Sequence, residues 1–334
     1  MKIKVSIIGA SGYTGGELVY YLLKHPYAEI LHCTSNSFAG ELISKAHPTL
    51  SISSNIKFEK CDVDKISKDS DLVFLCLPHA RSAEMAKQFL EKKVKVIDLS
   101  ADFRLKSKSL YEKWYGPHPC PELLKSAVYG LCELYRKEVK GANLVANPGC
   151  YATATILSAI PLIKKGILQK NSLVVDAKSG TSGAGKKLDT KYLFCEVNEN
   201  FFAYALEGHR HWPEIQQVLG QNFTFVPHLL PVERGILVTL YAQLKKKLSR
   251  AALWSIYDQF YKGEPFVQVL PEGAFPQLRS VQKSNFCQIG VQVDSTGHKA
   301  IIVGVIDNLG KGASGQAVQN MNLMFHLNET CGLI

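Results

Sequence analysis

The apolar positions of the chain fall into short buried runs separated by amphipathic stretches, and the order of the two kinds sets the expected fold. Residues 2–8 read as a buried strand, followed at once by Gly9-Ala-Ser-Gly-Tyr-Thr-Gly-Gly16. A helix is predicted from Thr14, which has capping-box spacing to Glu17; Leu18 to Leu23 supply its apolar face and Pro26 stops it. The run 29–33 closes a βαβ unit, and strand-like runs at 72–77, 94–99 and 143–146 alternate with helical stretches such as 82–92. This alternation predicts an α/β fold with an N-terminal doubly wound parallel sheet of the Rossmann type. After Cys150 the rhythm changes. A helical segment over 151–165 leads to strands at 172–177, 221–226, 235–244, 291–293 and 300–306. Strands with few helices between them predict a second, α+β domain carrying a mixed or antiparallel sheet. A final helix is predicted over 316–328.

Composition narrows the class without naming a ligand. At 334 residues the chain has room for about two domains, and 46% apolar with 20% charged residues exclude a disordered or fibrous chain. Lys plus Arg number 39 and Asp plus Glu 29, a net charge of +10, so an anionic partner of some kind is expected. No DNA- or RNA-binding module accompanies that charge, and no run of about 18 uncharged apolar residues exists to span a membrane. The nine cysteines include no CxxC pair and follow no signal peptide, which predicts reduced thiols and a cytoplasmic location.

Two constellations carry chemistry. Gly9, Gly12 and Gly15 stand between a predicted strand and helix, where glycines let backbone N–H groups approach a pyrophosphate and the helix N-terminus adds partial positive charge. Ser11, Tyr13 and Thr14 complete that candidate cofactor loop. The second strand ends in Cys33-Thr-Ser35-Asn-Ser37 with no carboxylate. Hydroxyls at Ser35 and Ser37 tolerate a 2′-phosphate, which predicts NADP(H) over NAD(H). In Asn147-Pro-Gly-Cys150-Tyr-Ala-Thr153 a strand ends, Pro-Gly turns the chain, and Cys150 lands at a helix N-terminus. The helix dipole and unpaired N–H groups favour a thiolate there, and the same amides can serve a tetrahedral oxyanion. Cys33, Cys76 and Cys132 read instead as small buried hydrophobes. A base for Cys150 is sought in Gly208-His209-Arg210-His211-Trp-Pro-Glu214, with a helix expected to start at Pro213. His209 and His211 would share one side of an extended segment, and Glu214 would orient a histidine or help cap the helix. No third ligand at recognisable spacing supports a metal site.

Taken together, these motifs resemble the N-acetyl-gamma-glutamyl-phosphate reductase family of the aspartate-semialdehyde dehydrogenase superfamily. The likeness covers essentially the whole chain: GASGYTGGEL from Gly9, LPH from Leu77, VIDLSADFRL from Val96, NPGCYAT from Asn147, SGTSGAG from Ser179, GHRHWPEI from Gly208 and DNLGKGASGQAVQ from Asp307. The resemblance implies Cys150 as nucleophile and His209 or His211 as acid/base, with Glu214 beside them. It implies Arg104, Asn147 and Arg210 at the substrate, and Ser182, Gly183, Ala184, Gly185 and Asn308 at the cofactor. It further implies an NADP-binding domain over 1–148, with the helix of about 311–334 packing back on it. A catalytic and dimerisation domain over 149–310 and a homodimer or homotetramer follow.

The activity so implied is reduction of N-acetyl-5-glutamyl phosphate to its semialdehyde through a Cys150 thioester. The same chemistry on a carrier-linked aminoadipyl phosphate or on aspartyl phosphate is the alternative, and a non-catalytic NADP-binding sensor is the alternative of a different class.

Overall fold

The N-terminal apolar run forms β1 (Ile3–Ile8), buried at every position but Lys4, as a central parallel strand must be. The computed structural model, which describes residues 2–50, 55–186 and 188–334, resolves into two units. The first comprises Met1–Pro148 and Ala313–Ile334. Beyond β1 its strands are β2 (Ala28–Thr34), β3 (Phe58–Glu59), β4 (Leu72–Leu75), β5 (Lys95–Asp98), β6 (Val128–Tyr129) and β7 (Leu144–Ala146). All seven are parallel, in the order β3-β2-β1-β4-β5-β7-β6. The order reverses between β1 and β4, the switch point outside whose strand ends ligands bind in such sheets. One core packs Ile8, Val73, Leu75, Phe89, Val96, Phe103 and Leu144 together. This is the expected Rossmann-type sheet; the two-residue strands β3 and β6 are too short to leave a periodic signal.

Helices α1 (Tyr13–Lys24), α2 (Val63–Asp69), α3 (Ser82–Glu91), α4 (Lys108–Tyr115) and α5 (Cys132–Lys140) connect these strands. The expected capping box at Thr14 and Glu17 does not form. Gly12 is the N-cap of α1, so Thr14 already lies in the first turn, because the glycine loop itself turns the chain into the helix.

The second unit is Gly149–Gly312. It opens with α6 (Cys150–Lys164), followed by β8 (Val174–Gly180), α7 (Phe194–Val197), β9 (Phe202–Ala203), α8 (His211–Leu219) and β10 (Thr224–Leu230). β11 (Ile236–Gln243), α9 (Arg250–Phe260), β12 (Val267–Val269), β13 (Cys287–Val293) and β14 (Lys299–Ile306) complete it. The sheet runs β12-β13-β14-β11-β8-β10-β9 and is mixed: β8/β10 and β12/β13 are parallel pairs, the rest antiparallel. α6 is buried from Tyr151 to Leu162 and packs on β11, β14 and α8. Its Pro161 lacks the N–H that the Leu157 carbonyl needs one turn back, and the Tyr261 hydroxyl donates to that carbonyl instead.

The last helix, α10 (Gly315–Met324), belongs to the first unit and follows a π-helical turn over Gly310–Ser314. It stops four residues short of the expected 328. Among the described residues no helix is long and apolar enough to cross a membrane.

Candidate active site

In the first unit the glycine loop has the shape a pyrophosphate cradle requires. Gly9 adopts φ +85°, and a Cβ there would lie 2.6 Å from the Cys76 carbonyl oxygen. A Cβ on Gly15 would fall 2.6 Å from Ala10 Cα, so this glycine lets α1 start directly against the loop. At Gly12, by contrast, a Cβ would make only an ordinary contact, 3.8 Å from the Gly9 carbonyl oxygen, before a helix N-terminus that no N-cap side chain occupies.

The end of β2 holds the loop from behind. The Gly9 N–H donates to Thr34 Oγ1 (3.1 Å), the Ala10 N–H to the Thr34 carbonyl (2.8 Å), and Ser35 Oγ to Ser11 Oγ (2.9 Å). Ser314 Oγ donates to the Thr14 carbonyl (2.9 Å), and His47 Nε2 to the Ala10 carbonyl (2.8 Å). Ser37 and Tyr13 are exposed. Glu59, on the neighbouring strand, spends its carboxylate on His32 and Lys65. The fit of these residues to a dinucleotide is therefore good.

Also in the first unit, the motif over 96–105 builds a buried network after β5. Arg104, 8% exposed, donates from Nε to the Asn147 carbonyl (2.8 Å) and from Nη2 to the Leu99 carbonyl (2.7 Å). The turn before it is pinned by Asp102, which accepts from the Ala80 N–H (2.9 Å), the Ala83 N–H (3.0 Å) and the Tyr111 hydroxyl (2.8 Å). Asp98 accepts from Ser82 and Ser100, yet burial, with the Asp102 charge nearby, pushes its carboxyl up to about 6. The two aspartates were not singled out in the sequence, although both lie inside the quoted motif.

The second unit holds Cys150 at the start of α6, half-buried. Gly149 is the N-cap and has no side chain to fold over the first-turn amides. A Cβ on Gly312 would sit 2.8 Å from Cys150 Cβ, so a bare backbone is needed where the chain passes the cysteine. Glu214, expected to orient a histidine or cap its own helix, reaches across 65 residues and accepts from the Gly149 N–H through Oε1 (2.8 Å). It ties α8 to the turn that carries Cys150.

Tyr151 places its ring against both His209 (centroids 5.5 Å) and His211 (5.8 Å). The histidine rings are 5.1 Å apart, and Tyr204 and Phe225 lie 5.7 and 5.4 Å from His209. α8 begins at His211 rather than Pro213, and the segment is a turn rather than extended. The cause is His209 itself, whose Nδ1 accepts from the His211 N–H (3.2 Å). That bond puts the proton of a neutral imidazole on Nε2. Burial, assisted by the exposed Arg210 charge, lowers His209 to about 4. Burial raises both Tyr151 and Tyr204, the latter to about 12, and the Cys150 charge adds to each. The hydroxyls meet at 3.4 Å, and Tyr151 donates to the His228 carbonyl (3.0 Å). Sequence reasoning missed this pair; Tyr151 follows Cys150 directly, whereas Tyr204 arrives through β9 and β10, which no motif marks.

A further cluster in the second unit joins Asn308 to the 181–185 loop. Asn308, 2% exposed, accepts from the Gly235 N–H (2.7 Å) and donates to Ser182 Oγ (2.9 Å), which donates to the Glu233 carbonyl (2.6 Å). Gly183 packs on Ser179, Ala184 ends a 3-10 turn, and Gly185 has φ +74° with open space beside it. All nine cysteines are free thiols. Cys33 and Cys76 are pushed up to about 12 by burial, while Cys132, read as a plain hydrophobe, donates to Asn320 Oδ1 (3.1 Å) and accepts from Gln316 (3.0 Å). Among the described residues no group of three His, Cys, Asp or Glu side chains lies close enough to hold a metal ion.

Comparison with known proteins agrees along the full length. Residues 4–142 match the NAD binding domain and residues 150–308 the dimerisation domain of the semialdehyde dehydrogenases. The chain is 50% identical over 340 residues to the N-acetyl-gamma-glutamyl-phosphate reductase of Campylobacter jejuni, covering 100% of this chain and 98% of that protein. It is 49% identical to that of Citrifermentans bemidjiense, covering 99% and 98%. In fold it is similar to aspartate semialdehyde dehydrogenase II from Vibrio cholerae, with TM-score 0.75, 16% identity and coverage of 98% and 99%. The NADP-bound aspartate semialdehyde dehydrogenase of Candida albicans gives TM-score 0.72 at 16% identity, covering 97% and 99%.

Proposed function

The chain belongs to the N-acetyl-gamma-glutamyl-phosphate reductase family, and from that premise we propose how its own residues carry the reaction. The activity is the nicotinamide-dependent reduction of N-acetyl-5-glutamyl phosphate to N-acetylglutamate 5-semialdehyde and phosphate, a step of arginine biosynthesis. The observation that carries the reading is Cys150 at the N-terminus of α6, with its turn fixed by Glu214 and the two histidines packed edge-to-face on the neighbouring tyrosine.

Cys150 loses its proton to His211 and its sulfur bonds to the acyl carbon; the C–O bond to phosphate breaks, and phosphate leaves with that proton. First-turn N–H groups of α6 stabilise the oxyanion formed on the way. The product is a thioester on Cys150. A nicotinamide dinucleotide held by the Gly9, Gly12 and Gly15 loop would supply a hydride, with its electron pair, to the thioester carbon. The resulting oxyanion collapses, the S–C bond breaks, the aldehyde departs, and the thiolate regains one proton from solvent through His211. His209 is neutral at pH 7 with Nδ1 already accepting a bond, so it orients His211 rather than carrying the proton. Arg104 holds the substrate's anionic group, and Gly9, Gly12 and Gly15 hold the cofactor's pyrophosphate. Asn308 and Ser182 shape the loop through Gly185.

NADP(H) is the preferred cofactor, supported by Ser35 and Ser37 where an NAD-selective site offers a carboxylate, and by Glu59 being engaged elsewhere. The enzyme works as a homo-oligomer. One face of the second unit's sheet, carrying Val226, Leu237, Thr239, Ile301 and Val303 in register, is only half-buried. Free thiols throughout fit a reducing cytoplasm.

The test traps the intermediate. Enzyme mixed with the acyl phosphate without cofactor gains one acyl mass on the Cys150 peptide, and adding NADPH removes it. Cys150→Ser is expected to bind NADPH normally and turn over at background rate; residual turnover near wild type would overturn the covalent mechanism.

A further inference from the structure

α10 is polar yet buried: Gln316, Gln319, Asn320 and Asn322 are each 0% exposed. Burying an amide is costly unless it is hydrogen-bonded, so the partners show what such a helix holds. Asn320 donates through Nδ2 to the Gly130 carbonyl (2.9 Å) and to Asn147 Oδ1 (3.1 Å), and its Oδ1 accepts from Cys132 Sγ (3.1 Å). The approach is close enough that a Cβ on Gly130 would lie 2.5 Å from Asn320 Nδ2. Asn147 is in turn bonded through all four of its polar groups. Its N–H donates to the Asp98 carbonyl (2.8 Å) and its carbonyl accepts from Arg104 Nε (2.8 Å). Its Nδ2 donates to the Ala313 carbonyl (3.0 Å), and its Oδ1 accepts from Asn320. Every residue of this network lies in the first unit.

We propose that Asn320 is a positioning residue for Arg104, acting through Asn147, and that Asn147 serves as the relay between them rather than as a substrate ligand. Among the partners of the guanidinium are two backbone carbonyls, one of which belongs to Asn147. The Asn147 side chain, held at both ends by the C-terminal segment, helps to fix the direction of that carbonyl. A fork-shaped donor that must meet an anion with two bonds loses most from a small rotation. The inference rests on the reading of Arg104 as the substrate's anion clamp.

The experiment measures KM for N-acetyl-5-glutamyl phosphate, kcat and the NADPH dissociation constant in Asn320→Ala, Asn147→Ala, their double variant and Arg104→Leu. Loss of a clamp's alignment by a fraction of an ångström is worth about tenfold, so Asn320→Ala should raise KM about tenfold with NADPH affinity unchanged. The double variant should be no worse than Asn147→Ala alone, since both remove one route. Cys132→Ala, a milder change that deletes one donor to Asn320 and leaves Gln316 Nε2 its bond to the Gly130 carbonyl, should move KM in the same direction by about threefold, and it keeps the test open if Asn320→Ala fails to fold. Unchanged KM in folded Asn320→Ala or Cys132→Ala, multiplicative effects in the double variant, or an equal loss of NADPH affinity overturns the relay. If Arg104→Leu itself leaves KM unchanged, the clamp reading falls and the relay with it, a pattern distinct from failure at Asn320 alone.

Discussion

The ring of His209 touches those of Tyr151, Tyr204, His211 and Phe225, and that company decides its protonation. Burial lowers its value to about 4 from the ordinary 6.5. A depressed histidine favours the native state above 6.5, and that contribution fades as pH falls towards 4, because the unfolded chain takes up the proton first. His209→Asn is therefore expected to flatten the fall in unfolding midpoint between pH 6.5 and 4, measured by thermal melts in a pH series. The same variant keeps an oxygen where Nδ1 accepts the His211 N–H, so kcat should drop by less than about tenfold, whereas His211→Asn, which removes the proposed acid/base, should cost about 10²–10⁴. Equal losses in the two variants would reject the division of roles. Cys150, the histidine pair and the glycines were legible in the sequence because local chain chemistry marks them: Pro-Gly before a helix, two imidazoles around an arginine, glycines after a strand. Tyr204 and Asp102 were not. Their work depends on partners brought by strand pairing or by a turn between β5 and α4, and neither leaves a periodic or spaced signal.

Elements were legible where one apolar period runs uninterrupted, and their ends shifted where a distant group supplied the cap. β1, α3 and β14 lie within a residue or two of the predicted spans. β13 begins at Cys287, four residues before the expected 291, since Gln288 and Gly290 break the apolar run while the pairing with β14 continues. α6 shows the converse case, a helix that keeps going through Pro161 because the fold provides a substitute donor. Tyr261→Phe strips that donor and strands the Leu157 carbonyl in the core, which should cost about 1–3 kcal/mol. Pro161→Ala restores the backbone N–H one turn on. In the Tyr261→Phe background it should recover part of the loss in a urea titration. A Tyr261→Phe melt identical to wild type, or no recovery on adding Pro161→Ala, would show that the hydroxyl is not what carries the helix past its proline.

At the scale of the whole molecule, the +10 charge turns out to say little about chemistry, since the anions proposed here are met by a few groups, Arg104 and the loop amides foremost. The half-buried face of the second unit's sheet says more. Register places Val226, Asp176, Thr239 and Val303 in one row across four strands, with Leu237 and Ile301 beside them, while Val175, Ala177, Val238, Leu240 and Ile302 are fully buried on the opposite face. A sheet face that leaves Leu237, Ile301 and Val303 half-covered beside polar neighbours is the kind of surface that a second copy closes isologously, each protomer offering the same patch. Asp176 itself sits in the row, with Lys178 Nζ 2.6 Å and His228 Nδ1 3.2 Å from its carboxylate, so β8 and β10 carry the polar side of the face and Leu237, Ile301 and Val303 on β11 and β14 its apolar side. Placing lysine at the centre should therefore separate the copies without touching the fold. Ile301→Lys with Val303→Lys is expected to shift the sedimentation mass from a multiple of the chain to that of a single chain, with far-ultraviolet circular dichroism unchanged. If wild type already sediments as one chain, or if the lysine variant keeps the wild-type mass, the row faces solvent and the oligomer, if formed, is built through another surface.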